Sequence, residues 1–129
     1  EETNAASQFG PPETYLYEPN RAILKSGAFK AIGNAFGLKK LHEHTHLYTS
    51  TELVAFPGRR FSIFSQESFK PKVLKKKLAK TKANVIAKNF PWTVAQIRNR
   101  LGILDGGETY LFFSKTINEE LTLLVCERI

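Results

Sequence analysis

Residues 83–102 read ANVIAKNFPWTVAQIRNRLG. The first six residues form a mostly apolar run of strand length, which predicts a strand over residues 83–88. Thr93 and Gln96 have the spacing of a capping box, in which each side chain bonds to the backbone of the other residue. Gly102 supplies the left-handed residue that commonly ends a helix. This stretch therefore predicts a strand, a turn and a helix in direct succession.

Two further strands are predicted after this helix. Residues 109–114, TYLFFS, and residues 121–126, LTLLVC, are apolar runs of strand length that are separated by a short polar loop. Such a pair predicts a β-hairpin. Residues 105–107 read DGG and predict a turn between the helix and the hairpin, because these residue types favour turn conformations.

A strand and a helix are also predicted upstream of residue 83. Residues 60–65 alternate between polar and apolar types, which is typical of a strand with one buried face. Pro71 favours the first turn of a helix, where its missing N–H costs nothing. Val73, Leu74 and Leu78 share one face of that helix and are expected to point inward.

The N-terminal third of the sequence is simpler. Residues 15–17 and 47–49 are strand-like, and residues 20–36 predict one helix that Gly37 ends. Residues 1–14 show no periodicity and are expected to form a linker. Together these elements predict an α+β fold, in which about three helices pack on a mixed β-sheet.

Composition excludes several classes of protein. The chain has 129 residues, which fits one domain, and its single cysteine excludes an intrachain disulfide. Cys126 lies in a predicted buried strand and has no base nearby in sequence, so a core thiol is favoured over a nucleophile. No apolar stretch is long enough to span a bilayer, and no signal peptide or phosphate-binding loop is present. We therefore expect a cytoplasmic chain without an active site of its own.

The positive charge of the chain is concentrated in one segment. The net charge is +7, and no acidic residue occurs between Ser68 and Leu104. Such a segment attracts polyanions, although a lysine face that is merely hydrated would look the same in sequence. The candidate nucleic-acid-binding residues are Lys70, Lys72, Lys75, Lys76, Lys80, Lys82, Lys88, Arg98 and Arg100.

Three histidines offer a possible metal site. His42, His44 and His46 alternate, so on a strand they would share one face and could approach a zinc ion. Side chains at successive positions on one face of a strand are ~7 Å apart, however, and a closed zinc site usually has four ligands. The preferred interpretation is a histidine-rich polar loop, and no metal is predicted.

The segment that follows the strand of residues 83–88 resembles a catalytic motif. Asn89-Phe90-Pro91-Trp92 is similar to the Asn/Asp-Pro-Pro-aromatic motif of amino-group methyltransferases, in which the Asn side chain and the backbone hold the target amine. The second position is Phe rather than Pro, and no glycine-rich strand–loop–helix precedes it. The end of a strand followed by a helix cap explains the same residues more simply.

Several longer motifs together resemble one family. They are YLYEPN and AILKSGAF at residues 15–20 and 22–29, GLKKLH and THLYTS at 37–42 and 45–50, and NFP and GGETYLF at 89–91 and 106–112. They are similar to the THUMP-like domain found at the C-terminus of bacterial class I S-adenosylmethionine-dependent methyltransferases, notably in Bacteroidetes. The resemblance covers residues 15–129, and it includes His42 and His46 but not His44.

This resemblance implies a division of labour. An upstream Rossmann-type catalytic domain, missing from this chain and joined to it by the linker of residues 1–14, would bind S-adenosylmethionine and transfer the methyl group. No catalytic residue or cofactor is therefore expected in this chain. By analogy with THUMP domains, the chain would recognise an RNA substrate and contact its own N-terminal methyltransferase domain. The alternative is a structural module that packs on the catalytic domain and shapes its cleft. The candidate interdomain residues are Tyr15, Tyr17, Glu18, Pro19 and Asn20.

Overall fold

The computed structural model describes residues 8–129, apart from the side chain of Lys30. The predicted linker lies partly outside this range, at residues 1–7. The elements in chain order are β1 (Tyr15–Pro19), α1 (Arg21–Ser26), α2 (Phe29–Phe36), β2 (Lys39–His42), β3 (Thr45–Ser50), β4 (Gly58–Ser68), α3 (Pro71–Leu78), β5 (Lys82–Lys88), α4 (Val94–Leu101), β6 (Leu104–Lys115), a 3-10 turn (Ile117–Glu119) and β7 (Leu121–Arg128).

The strands form one mixed sheet of seven strands in the order β2-β3-β1-β4-β7-β6-β5. β5 and β6 are parallel because α4 connects them, whereas β6 and β7 form the antiparallel hairpin that the sequence predicts. This arrangement confirms the α+β class and the mixed sheet. Among the described residues, no helix is both long and apolar enough to cross a membrane.

Helices α3 and α4 pack on one face of the C-terminal half of the sheet. Leu74 of α3, together with Ile97 and Leu101 of α4, is buried against Val85 of β5 and Phe113 of β6. The helices offer these side chains because apolar residues recur at helical spacing on one face. The opposite faces of α3 and α4 remain in solvent, and this determines where their lysines and arginines lie.

The other face of the sheet is concave. Leu41 and Leu47 from β2 and β3 share a buried cluster with Phe112 of β6, although these strands are distant in the sheet. The curvature also brings polar groups together, because Thr45 Oγ1 donates to the carbonyl oxygen of Lys115 at 2.6 Å. Asn89 Nδ2 in turn donates to Thr45 Oγ1 at 3.1 Å. The sheet thus folds part of the way back on itself.

The N-terminal helical region differs from the prediction. The single helix expected over residues 20–36 is two helices, because Gly27 adopts a left-handed conformation with φ of 71° and ends α1. Asn20 caps α1 by accepting a hydrogen bond from the backbone N–H of Ile23 at 3.0 Å. The break lets α2 turn onto the sheet, where the hydroxyl of Tyr48 donates to the Phe29 carbonyl at 2.6 Å. The described residues therefore contain four α-helices rather than about three.

Two other local predictions were wrong. The Asp105-Gly106-Gly107 segment is an excursion within β6 rather than a free turn, since Ala83 pairs with Asp105 while the next residue of β5, Asn84, pairs with Tyr110. Val73 was expected to point inward but is 51% exposed, because Leu74 alone fills the buried position in the middle of α3.

Candidate nucleic-acid interface

Helix α3 presents a lysine-rich surface. Pro71 begins the helix after Lys70, and the burial of Leu74 fixes which side faces the sheet. Lys72, Lys75 and Lys76 consequently lie on the exposed side. The helix contains no acidic residue, so nothing along it neutralises these charges locally.

The surface continues across the end of α4. Lys80 has a left-handed backbone with φ of 65°, and its N–H donates to the Gly102 carbonyl at 2.7 Å. This bond holds the exposed Lys80 beside the C-terminus of α4. The Arg100 guanidinium carbon lies 4.5 Å from the centroid of the Trp92 ring, a cation–π contact that orients the side chain. We call Lys70, Lys72, Lys75, Lys76, Lys80 and Arg100 the α3–α4 cationic face.

Two other basic residues of the segment are occupied within the fold. The Nζ of Lys77 donates to Glu67 Oε1 at 2.6 Å. Arg98, a predicted phosphate contact, donates to Asp105 Oδ1 at 2.9 Å and to the Ala83 carbonyl at 3.2 Å. Because these bonds tie α4 to β5 and β6, the structure gives Arg98 an internal role and separates it from the cationic face.

Lys88 lies elsewhere. It ends β5, about 20 Å from Lys82 at the strand's start, at ~3.3 Å per residue. Side chains alternate along a strand, and Ala83 and Val85 face the helices, so Lys82 and Lys88 belong to the opposite side. Lys88 Nζ is 3.5 Å from Glu18 Oε2. The structure therefore places Lys88, a candidate nucleic-acid-binding residue, on a different surface from the α3 lysines.

The candidate interdomain residues are mostly engaged inside the fold. Tyr17 is fully buried, and its hydroxyl contacts Ser50 Oγ at 2.8 Å and the Val54 N–H at 3.1 Å. Pro19 is also buried. Neither residue has a surface that could contact another domain, because β1 is an interior strand between β3 and β4. Tyr15 and Glu18 are half-buried, and Asn20 is exposed.

The three histidines do not converge. His42 ends β2 and contacts the Glu119 carboxylate, and this hydrogen bond lowers the pKa of Glu119. His44 is exposed in the turn, whereas the His46 ring stacks on Phe29 with centroids 3.6 Å apart. Among residues 8–129, no group of three or more histidine, cysteine, aspartate or glutamate side chains is arranged to hold a metal ion.

The segment from Asn89 to Thr93 matches the strand-end and helix-cap interpretation. Thr93 Oγ1 accepts from the Gln96 N–H at 3.2 Å, and the Thr93 N–H donates to Gln96 Oε1 at 2.9 Å, which completes the capping box. Asn89 is left-handed with φ of 54°. The loop contains no glycine, so it does not fit the phosphate-cradling turn of a nucleotide cofactor site.

The two aromatic residues of this segment are partly buried against the core, and Cys126 is fully buried in it. Phe90 and Trp92 both meet Phe69 edge-on, with centroid distances of 4.8 and 5.0 Å. Packing therefore accounts for them without a bound base. The complete burial of Cys126 confirms its interpretation as a core residue, and the same burial raises the pKa of its thiol to about 12, which keeps it protonated.

Two known families match this chain, and each match covers one half of the sheet. Residues 58–128, more than half of the chain, match the family described as THUMP domain-like. The chain belongs to the THUMP-like family. Residues 15–57 match a second family, described as a ferredoxin-like domain. The THUMP-like match begins at β4, so the motifs of residues 15–50 lie in the ferredoxin-like part of this THUMP-like chain.

One solved structure resembles the whole chain. It is a crystal structure of a protein described as a candidate methyltransferase from Porphyromonas gingivalis W83, with 33% sequence identity and a TM-score of 0.90. The similarity covers 98% of this THUMP-like chain but 32% of the other protein. The chain thus spans about a third of the length of that relative. The search of curated proteins found no match to this chain.

Proposed function

We propose that this THUMP-like chain is the substrate-recognition module of a methyltransferase and that it binds RNA through the α3–α4 cationic face. The observation that carries the proposal is the exposed surface of α3, where Lys72, Lys75 and Lys76 have no acidic neighbour on the helix. The likeness to a candidate methyltransferase supports the enzymatic setting.

Binding of this kind is mainly electrostatic. The lysines act as point charges toward phosphate oxygens, whereas Arg100 can also pair in a bidentate way because Trp92 orients its guanidinium. Neutralising six phosphates of a single strand gives a slope of log K against log salt of about −4. Affinity should therefore fall steeply as ionic strength rises. Sequence preference is expected to be weak, because phosphate contacts carry no base identity.

The chemistry is assigned to the rest of the parent protein. S-adenosylmethionine and the transfer of its methyl group belong, in this proposal, to the part of the methyltransferase outside this chain. The β5–α4 loop supports this division because it lacks the glycines of a cofactor turn. We assign the protein to the cytoplasm, where a free thiol such as Cys126 stays reduced and RNA substrates occur.

A pair of charge reversals tests the proposal. Lys75→Glu with Lys76→Glu changes the cationic face, and Lys25→Glu with Arg128→Glu makes the same change in net charge at exposed positions elsewhere. Fluorescence anisotropy with a structured RNA across a salt series should show a loss of at least about tenfold for the first variant only, from the phosphate contacts it removes. Equal losses in both variants would mean that net charge alone attracts the RNA.

The second candidate function is a structural module that packs on the catalytic domain. Phe64 on β4 favours this function, because its large apolar side chain is 66% exposed and is available to pack on another domain. It is the unpaired residue of a bulge between Ile63, which pairs with Cys126, and Ser65, which pairs with Val125. In full-length protein, Phe64→Ser would then reduce methyl transfer while RNA binding by the isolated chain stayed intact. Unchanged methyl transfer in the Lys75 and Lys76 reversal would also favour this function.

A further inference from the structure

A second group of cations surrounds a cavity on the side of the sheet away from α3 and α4. The cavity has a volume of about 400 Å³ and opens where β1, α1, the start of β4 and the end of β5 meet. Among its lining residues are Glu18, Arg21, Leu24, Gly58, Arg59 and Lys88.

Arg59 is the most firmly placed of these cations. Its Nε donates to Glu18 Oε1 at 2.6 Å, and its guanidinium lies 5.4 Å and 5.5 Å from the ring centroids of Phe61 and Tyr110. The hydrogen bond to Glu18 raises the pKa of Arg59 above its ordinary value, so the group stays charged. A side chain fixed on several sides loses little conformational entropy when it binds a ligand.

The charges around the cavity do not balance. Lys88 Nζ lies 3.5 Å from Glu18 Oε2, so the same carboxylate serves both Lys88 and Arg59. Arg21 adds a third cation from the first turn of α1, where no acidic residue occurs. One carboxylate against three cations leaves an excess of two positive charges in a concave site, which focuses the potential on an anion.

The walls of the cavity favour an ester over a bare ion. Leu24, which is only partly buried, contributes apolar surface beside the cations. Gly58 contributes only backbone, because a Cβ at this position would lie 2.1 Å from the Glu18 carbonyl oxygen. The close approach of β1 and β4 that forms this wall therefore depends on the absence of a side chain at residue 58.

We propose that this cavity is a binding site for the phosphoryl group of a phosphate ester. Arg59, Lys88 and Arg21 bind the phosphoryl oxygens, and Leu24 contacts the organic part next to the phosphate. A phosphate monoester carries close to two negative charges at neutral pH, which matches the excess of the site. The site is separate from the α3–α4 cationic face, so it does not depend on the proposed function.

The test is a titration of the 129-residue chain followed by NMR. Three probes are added separately: inorganic phosphate, adenosine 5′-monophosphate, and an oligoribonucleotide without terminal phosphates. The signals to follow are the Arg59 Nε–H and the backbone amides of Arg21 and Lys88. The variants are Arg21→Gln and, as the matched control, Lys25→Gln, because both residues are exposed on α1 and only Arg21 lines the cavity.

We expect saturable shifts of these signals with adenosine 5′-monophosphate. Arg21→Gln should weaken its binding about fivefold, the loss typical of one exposed ion pair, while Lys25→Gln should not. Saturation by the oligoribonucleotide as well would identify an RNA strand as the source of the phosphate, and saturation by the monophosphates alone would identify a free or terminal ester.

Two outcomes would overturn the proposal. One is the absence of saturable shifts with all three probes, and the other is equal weakening by Arg21→Gln and Lys25→Gln, which would indicate diffuse attraction. Either outcome leaves RNA binding by the α3–α4 cationic face untouched, because Lys75 and Lys76 lie outside the cavity. Conversely, loss of RNA binding in the Lys75 and Lys76 reversal leaves monophosphate binding at the cavity intact.

Discussion

His46 makes the stability of this chain depend on pH. Its ring stacks on Phe29 at a centroid distance of 3.6 Å, and the Lys40 ammonium lies 5.2 Å from the centroid of the same Phe29 ring. Burial, followed by repulsion from Lys40, His44 and Lys88, lowers the pKa of His46 from 6.5 to about 4. The folded chain therefore holds His46 neutral over a range in which the unfolded chain protonates it.

The sign and size of the effect follow from this difference. Below pH 6.5 the unfolded state binds more protons at His46 than the folded state, so the free energy of unfolding falls as pH drops from 6.5 toward 4. The full shift would correspond to ~3 kcal/mol at about 1.4 kcal/mol per pKa unit. Because the ring is only partly buried and solvent screens its neighbours, we expect a loss of about 1–2 kcal/mol.

The substitution His46→Phe isolates this contribution. A phenylalanine at this position can still stack on Phe29. No hydrogen bond is lost at Nδ1 of His46, because that atom is buried without a hydrogen-bond partner. Urea unfolding at pH 7 and pH 4.5 should show a smaller loss of stability for His46→Phe than for the parent chain. His44→Gln removes one of the repulsions on His46 but not its burial, so its loss should be close to that of the parent and larger than that of His46→Phe. An equal loss in all three chains would refute the reasoning, as would an NMR titration that places the pKa of His46 near 6.5.

Two further substitutions test the fold around the proposed sites. Gly58→Ala should destabilise the chain by ~1–3 kcal/mol in urea unfolding, because the new Cβ overlaps the Glu18 carbonyl oxygen. A loss below about 0.5 kcal/mol would contradict the close approach of β1 and β4. Thr93→Ala should lower the free energy of unfolding by ~1 kcal/mol, because it removes the side-chain cap of α4. Thr93→Ser keeps a hydroxyl at this position and should retain most of the stability. Equal stability of the two variants would argue against the capping box.

Local signals explain why some elements could be predicted from the sequence. The capping box of α4 involves residues three positions apart, and the β6–β7 hairpin joins apolar runs that are neighbours in the chain. The split between α1 and α2 is different. Gly27 could continue or end a helix, and the turn is selected by packing of α2 on Tyr48, which the local pattern does not contain.

The candidate sites also differ in how far the sequence predicts them, because only one of them has a local sequence signal. The run of basic residues located the α3 lysines because a helix with one buried position exposes the others. Arg59 and Arg21 carried no such signal, since Arg59 binds Glu18 across 41 positions of sequence. Lys88 lay within the predicted segment, yet strand alternation placed it on the other face of the sheet.

The two segments that match separate families form one structural unit. β1 pairs with β4 along its whole length, from Tyr15 opposite Ser62 to Pro19 opposite Gly58. The Glu18–Lys88 ion pair and the Asn89–Thr45 hydrogen bond join the same segments again across the concave face. The α3–α4 cationic face and the cavity beside Arg59 are therefore held at a fixed separation on opposite faces of the sheet. Since β5 is an edge strand, one RNA strand could reach both sites by passing around that edge, where Lys82 is exposed.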